Sequence, residues 1–386
     1  MINVPSTYID PALSITDLDT GQTYSLRDIE NSTAILQSVK NSTNKKNILP
    51  NGVNFSMFFN LIQPDTIPDK LSIIDLAYPH SNSITNIAIY KDSDVIATSD
   101  SSGSITTLVG FEVNKTVAAH SAKINSLDFS SDGHLISASN DKTAKFWKRN
   151  LARPISTLRH DGPVYAARFY PNDPNNTITC SGKEVIFWNA RREVIIHTLQ
   201  FLSEPTALDF SQDGKLIIVG CRNGYCYIYE LESMLYVSQF ACGLRKKTEI
   251  IPKSVLSVAF GPENIIVSTS DHRVRLYDQT NYRFIRKYIS YAPKNGDEPV
   301  TSVSFSKDGT FFLITNKKNG RAYVYPVDTP NYFKKSALVQ NMKDDSSSTF
   351  FGFTLGDEYQ ITASLIENDS FSFLIGDSAG RLYRIR

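Results

Sequence analysis

A short apolar frame recurs along the chain at positions 0, +3 and +5, and nothing else in the sequence constrains the fold as strongly. The copies are Ile84/Ile87/Ile89, Ile124/Leu127/Phe129, Val164/Ala167/Phe169, Pro205/Leu208/Phe210, Val255/Val258/Phe260, Val300/Val303/Phe305 and Phe350/Phe353/Leu355. First anchors are separated by 40, 40, 41, 50, 45 and 50 residues. A self-similar period near that length means one supersecondary unit repeated. Each unit is too small to bury its own apolar face and must stack on its neighbours.

Turn signals keep step with the frame. Asp132-Gly133, Asp213-Gly214 and Asp308-Gly309 follow a first anchor at a constant distance. Such pairs tolerate the positive φ of tight hairpins. A second set consists of Asp141-Lys142, Asn223-Gly224, Asp271-His272 and Asn319-Gly320, each followed by an aromatic residue: Trp147, Tyr229, Tyr277 and Tyr325. Trp188, Leu108 and Ile385 fill that place in the third, first and last copies. Two hairpins closed by a large side chain make a four-stranded antiparallel blade, so the pattern predicts an all-β ring of seven blades. Phe (22 residues) and Tyr (19) favour strands over helices.

The last copy ends at Arg386 after its third strand. The run Leu71-Ser-Ile-Ile-Asp-Leu-Ala-Tyr78 precedes the first copy and is expected to supply the missing outer strand. An open ring would expose sheet edges, which provides the driving force for this closure. The expected organisation is an N-terminal extension over 1–70 and the closed ring over 71–386. Within the extension, Ser38 to Asn47 reads as a flexible polar linker, Asp19-Thr-Gly21 as a turn between short extended pieces, and Phe55 to Ile62 as an apolar docking segment.

Forty basic residues against thirty-nine acidic ones leave no bulk field to draw nucleic acid or an anionic membrane. Cys180, Cys221, Cys226 and Cys242 match no zinc spacing or disulfide framework and read as buried thiols. The six histidines do not cluster as metal ligands. The first residues lack a signal pattern, Ile2 stands where myristoylation needs glycine, and the last residues lack a prenylation cysteine. The expectation is a soluble cytoplasmic protein.

His120, Ser137, Asp141 and Trp147 invite a hydrolase reading, yet no nucleophile elbow, oxyanion loop or phosphate loop accompanies them. This stretch resembles the WD-repeat β-propeller family, in which such a quartet forms a buried hydrogen-bond chain. His160, Thr179 and Trp188 keep part of it in the third copy, with Gly182 at the Asp position, and Asp271 with Tyr277 in the fifth. The expectation is therefore a non-enzyme with no cofactor, metal or small-molecule substrate, binding other proteins through its turns. Candidate partner-binding residues are Asn140, Lys183, Arg222, His272, Lys317 and Lys318, with Arg245, Lys246 and Lys247 in the insertion Cys242 to Glu249. The cations suit an acidic or phosphorylated peptide or anionic headgroups.

A closer resemblance rests on Asp17 to Leu26, Gly214 to Tyr229, Leu235-Tyr236, the basic insertion, Ile266 to Asp278, Lys287-Tyr288 and Tyr291. These residues are similar to rabphilin-like WD-repeat Rab effectors of recycling endosomes. The likeness runs from about residue 14 to the end and is most specific between 204 and 325. It implies a scaffold recruited by a Rab-type small GTPase to endosomal or Golgi membranes, with weak peripheral membrane contact. The alternative is a recognition or assembly subunit of another complex, such as a ubiquitin ligase or a nuclear assembly.

Overall fold

The computed structural model describes residues 14–16, 23–25, 73–90, 93–246, 249–289, 300–306, 308–316, 321–327, 351–354, 360–367 and 372–386. The chain divides into two units, Met1–Lys70 and Leu71–Arg386. In the first, Ser14–Thr16 pairs antiparallel with Thr23–Ser25, Ile15 opposite Tyr24. The turn expected at Asp19-Thr-Gly21 lies between these strands. It falls outside the described residues, as do the linker at Ser38 to Asn47 and the apolar run at Phe55 to Ile62.

Among the described residues, the second unit holds seven four-stranded antiparallel sheets, six of them in simple meander order, and one two-stranded hairpin. Blade 1 comprises Ile84–Tyr90, Val95–Asp100, Ser104–Val109 and Glu112–Ala118, and blade 2 Ile124–Phe129, Leu135–Ser139, Thr143–Trp147 and Pro154–Arg159. Blade 3 comprises Val164–Tyr170, Asp173–Ser181, Glu184–Asn189 and Val194–Gln200, and blade 4 Pro205–Phe210, Leu216–Cys221, Tyr225–Glu230 and Tyr236–Ala241. Blade 5 follows with Val255–Phe260, Asn264–Thr269, Arg273–Asp278 and Phe284–Ile289, and blade 6 with Val300–Phe305, Phe311–Asn316, Arg321–Pro326 and Phe351–Thr354. Blade 7 takes Ile361–Ile366, Phe373–Asp377 and Leu382–Ile385 from the C-terminus and Ile73–Ala77 from before blade 1.

The first strand of each blade touches the first strand of the next, and Ile361–Ile366 touches Ile84–Tyr90, so the ring closes on seven. Closure runs through the pairing expected from sequence: Ile73 lies opposite Ile385, Asp75 opposite Arg384, and Ala77 opposite Leu382. The Asp75 carboxylate accepts from Arg384 Nη1 at 2.9 Å, which fixes the register of this seam.

One expectation needs correction. By its periodicity Phe350/Phe353/Leu355 is the inner-strand frame of the seventh copy, but Phe351–Thr354 is the outer strand of blade 6, paired with Arg321–Pro326. The inner strand of blade 7 is Ile361–Ile366. Both segments are short alternating strands, and alternation alone does not say which sheet a strand joins.

Burial follows position in the blade. Second strands are covered on both faces by neighbouring blades, so Val95–Asp100 and Leu135–Ser139 are buried throughout. Outer strands such as Glu112–Ala118 are mostly exposed. A register shift follows the first anchor in every blade, for instance Ile84/Asn86, Ile124/Ser126 and Val255/Ser257. Such bulges tighten the local twist and help turn each blade edge-on to the axis.

Opposite the residue after each shift stand Ser99, Ala138, Cys180, Gly220, Ser268, Thr315 and Gly376 in blade order. All are small, because the first anchor of the next blade packs there. A Cβ on Gly220 would sit 2.5 Å from Val255 Cγ1, and one on Gly376 would sit 2.6 Å from Ile84 Cγ2. The same crowding accounts for Cys180, a buried small residue. All four cysteines are free and buried, and burial pushes the Cys221 thiol up to about 12.

Candidate protein-interaction face

Because strands alternate in direction, the turn between the second and third strands and the connection from one blade to the next lie at the same end of the ring. This end gathers those of the expected partner-binding residues that the structure describes, and the hydrogen-bond networks beneath them decide how firmly they are held.

Blade 2 carries the most complete network. Trp147 Nε1 donates to Ser137 Oγ at 2.9 Å, and Ser137 Oγ lies 2.7 Å from His120 Nε2. His120 Nδ1 lies 2.8 Å from Asp141 Oδ2. One proton arrangement satisfies all four: the indole donates to the hydroxyl, the hydroxyl to Nε2, and Nδ1–H to the carboxylate. Asp141 also accepts the backbone N–H of Ser121 and of Thr143, which ties the blade entry and the turn to one side chain. Burial lowers the His120 pKa against the pull of Asp141, so the imidazole stays neutral. Burial alone would raise the Asp141 pKa, but hydrogen bonds from Thr143 and the neighbouring His120 bring it below its ordinary value.

The order Ser–His–Asp is that of a hydrolytic triad, and the distances satisfy one. The environment does not. Ser137 is fully buried and its oxygen already accepts the indole N–H, so no substrate carbonyl reaches it. The quartet joins loop to blade.

Other blades reach the same end by different chemistry. In blade 3, Trp188 Nε1 donates to Thr179 Oγ1 at 2.8 Å and His160 Nε2 lies 2.8 Å from the same oxygen. Gly182 leaves the other imidazole nitrogen without a carboxylate, and burial pushes this histidine down to about 4. In blade 5, Asp271 meets Arg275 in an ion pair of 2.5 Å whose side chains are 8% and 4% exposed. Burial would raise the Asp271 pKa, but Arg275 and Thr269 hold it below the usual range.

Blade 1 holds a network that sequence reading missed. His80 Nε2 lies 2.9 Å from Thr98 Oγ1, and His80 Nδ1 lies 3.4 Å from Asp100, with both His80 and Asp100 side chains nearly inaccessible. The signal was there: His80 precedes the anchor Ile84 by the same interval as His120 precedes Ile124. It was hidden because Leu108 replaces the tryptophan and the carboxylate sits two places early in the register, at the end of its strand.

Above these pins, Asn140, Lys183, Arg222 and His272 occupy the equivalent turns of blades 2 to 5. Asn140 is exposed, and its Oδ1 accepts from Asn125 Nδ2 at 2.7 Å. Lys183 is exposed. Arg222 is offset by Glu204, Nε to Oε2 2.7 Å, so its charge is shared with an acid at the same rim. His272 is half-buried with φ 62°. Lys317, Lys318 and Lys247 fall outside the described residues. Arg245 and Lys246 lie on Gly243–Lys246, which pairs with Glu249–Pro252 in a hairpin between blades 4 and 5. The base of this hairpin rests on the turn of blade 4, where Cys242 N donates to Gly224 O at 2.7 Å. The structure thus brings the turns and the basic hairpin to one end of the ring. Among the described residues, no group of three or more His, Cys, Asp or Glu could hold a metal ion.

Comparisons with known proteins agree with this architecture. The family described as "WD domain, G-beta repeat" matches residues 111–148 and 195–230. Each match covers the outer strand of one blade and three strands of the next, the same offset that leaves blade 7 to be completed from the N-terminal side. An uncharacterized WD repeat-containing protein of Schizosaccharomyces pombe is 25% identical over 46% of this chain and 32% of its own. WD repeat-containing protein 44 of Xenopus laevis is 25% identical over 58% of this chain and 25% of its own. The matched stretch therefore spans a third or less of these relatives. The crystal structure of the Cps50 (Swd1) β-propeller domain of Myceliophteria thermophila superposes with a TM-score of 0.66 at 14% identity, covering 82% of this chain and 99% of that one.

Proposed function

We propose, taking as premise that the chain is a WD-repeat β-propeller similar to WD repeat-containing protein 44, that it is an adaptor in vesicle traffic linked to a Rab-type small GTPase. The coarser statement, a non-catalytic protein-interaction scaffold, follows from the repeat family and the fold. One observation of the geometry carries the reading. Turn side chains on blades 2, 3 and 5 ride on buried networks and Arg222 of blade 4 is held by Glu204 at the rim, so the face is held in shape before a partner arrives. A preorganised surface loses little conformational freedom on binding, which is what a recruiting scaffold needs. The resemblance to Rab-effector WD-repeat proteins supplies the finer part: the GTPase, and recruitment from the cytoplasm to endosomal or Golgi membranes.

The test is affinity purification of the tagged chain from its own cells with a GTP analogue or GDP added, followed by mass spectrometry. Recovery of a Rab and vesicle proteins only with the GTP analogue supports the adaptor reading. Recovery of one stable complex regardless of nucleotide overturns it in favour of an assembly subunit.

A further inference from the structure

The outer strands of the ring present backbone edges to solvent, and most of them are visibly protected. Blade 1 carries Glu112 and Lys115 on its edge, blade 5 carries Arg286 and Lys287, and blade 7 has Asp75 in its ion pair. Blade 2 begins its edge with Pro154 and ends it with Arg159, and Glu193 of blade 3 reaches across to accept the backbone N–H of Thr157 at 2.9 Å. Charge, proline and side-chain cover are the ordinary devices that stop a foreign strand from pairing.

Blade 3 lacks them. Its outer strand, Val194–Gln200, reads Val-Ile-Ile-His-Thr-Leu-Gln, with no charge and no proline. Val194, Ile195 and Ile196 are 53%, 51% and 51% exposed. A register shift at Phe187/Trp188 leaves Ile196 without a partner, and three consecutive half-exposed apolar residues put apolar surface on both sides of the edge. The edge of blade 4 is also uncharged, with Tyr236 and Val237 54% and 45% exposed, but Phe240 ties its far end to Tyr277 and Tyr282 of blade 5 and acidic Glu230 and Glu232 precede it in place of arginines. Directly before the open edge stand Arg191 and Arg192, both exposed and neither in an ion pair among the described residues.

We propose that the outer edge of blade 3 is a strand-addition site for an extended segment of a partner protein. The segment carries apolar side chains along its length and acidic ones at the end beside Arg191 and Arg192. Main-chain pairing supplies affinity in such sites and alternate side chains supply specificity. Charge complementarity sets the chemistry of the partner. A second copy of this chain is a poor occupant, since two short edges bury far less than the roughly 1,200 Å² of a stable interface. A flat bilayer meets a protruding tip, whereas this apolar surface lies on both sides of an edge. The site is on the rim, apart from the turn face assigned above, so the two readings stand or fall separately.

The experiment pans displayed random peptides on the full chain, with the Ile195→Lys variant as counter-selection. Enriched peptides are then measured by fluorescence anisotropy and hydrogen exchange. Alternating apolar residues ending in Asp or Glu are expected, with affinity at least about tenfold weaker for Ile195→Lys and for the Arg191→Glu/Arg192→Glu double variant. Slowed exchange at 194–200 and loss of binding when the peptide carries proline at alternate places are also expected. All substituted side chains are exposed, and unchanged circular dichroism and melting confirm that the variants fold. Absence of discriminating peptides overturns the proposal. So does equal binding by both variants, or binding of phosphatidylserine vesicles, sensitive to Ile195→Lys, in place of peptides.

Discussion

Replacing Ser137 with alanine removes one oxygen and strands two partners. The oxygen is fully buried, accepts the Trp147 indole N–H at 2.9 Å and lies 2.7 Å from His120 Nε2. The space left behind is that of a single hydroxyl, too small to admit a water in its place. Each stranded buried group costs about 1–3 kcal/mol, so the substitution should lower stability by about 2–6 kcal/mol. Urea unfolding followed by tryptophan fluorescence measures this, since Trp147 and Trp188 both sit in such networks. Ser137→Thr is the control, because Thr179 makes the equivalent contacts in blade 3 at 2.8 and 2.8 Å. It should retain most of the stability. Hydrogen exchange gives the local readout: with His120 no longer anchored, amides of the turn at Asn140 to Thr143 should exchange faster. A loss below about 0.5 kcal/mol, or a threonine variant as damaged as the alanine one, would refute the claim that this oxygen ties loop to blade.

Three further outcomes are expected. In blade 5, Arg275→Ala leaves Asp271 buried without its partner and should cost about 3–5 kcal/mol, while adding Asp271→Asn should restore part of it; a double-mutant cycle by denaturation decides this. The unfolded His160 imidazole takes up a proton near 6.5, whereas burial delays uptake in the fold to about 4. Between those values the unfolded state binds more protons, so stability is lost as pH falls. The advantage of the native chain over His160→Asn should therefore shrink by about 2–3 kcal/mol from pH 7 to pH 4. Using the difference between the two chains cancels other groups, notably Asp209, which burial pushes up to about 6 and which acts in the opposite sense. Finally, deleting residues 71–78 removes four paired positions from blade 7 and should cost roughly 3–5 kcal/mol. An unchanged melting temperature would show that the ring does not depend on this seam.

What the sequence determined by itself is the part of the design carried within single repeats. The anchor frame, the Asp-Gly turns and the closing aromatics are local, and they specify four strands per unit, the meander order and six of the seven inner strands. The need for Ile73–Ala77 at the seam was legible too, because a unit lacking its fourth strand is visible as a count. The quartet of blade 2 was legible because all four side chains stand at the repeat's own spacing.

Only the tertiary structure decided what depends on contact between units. Phe351–Thr354 and Ile361–Ile366 both alternate as strands do, and long-range pairing alone assigns them to different blades. The row of small residues from Ser99 to Gly376 is unremarkable until the next blade's anchor is seen packed against it. The networks of blades 1 and 5 use other residues at shifted places, since any side chains that satisfy the buried donors and acceptors will serve. Exposure of Val194, Ile195 and Ile196 was likewise hidden, for an apolar run reads the same whether a neighbour covers it or not. Periodicity reports which face of a strand is apolar, and only the packed ring reports what stands opposite it.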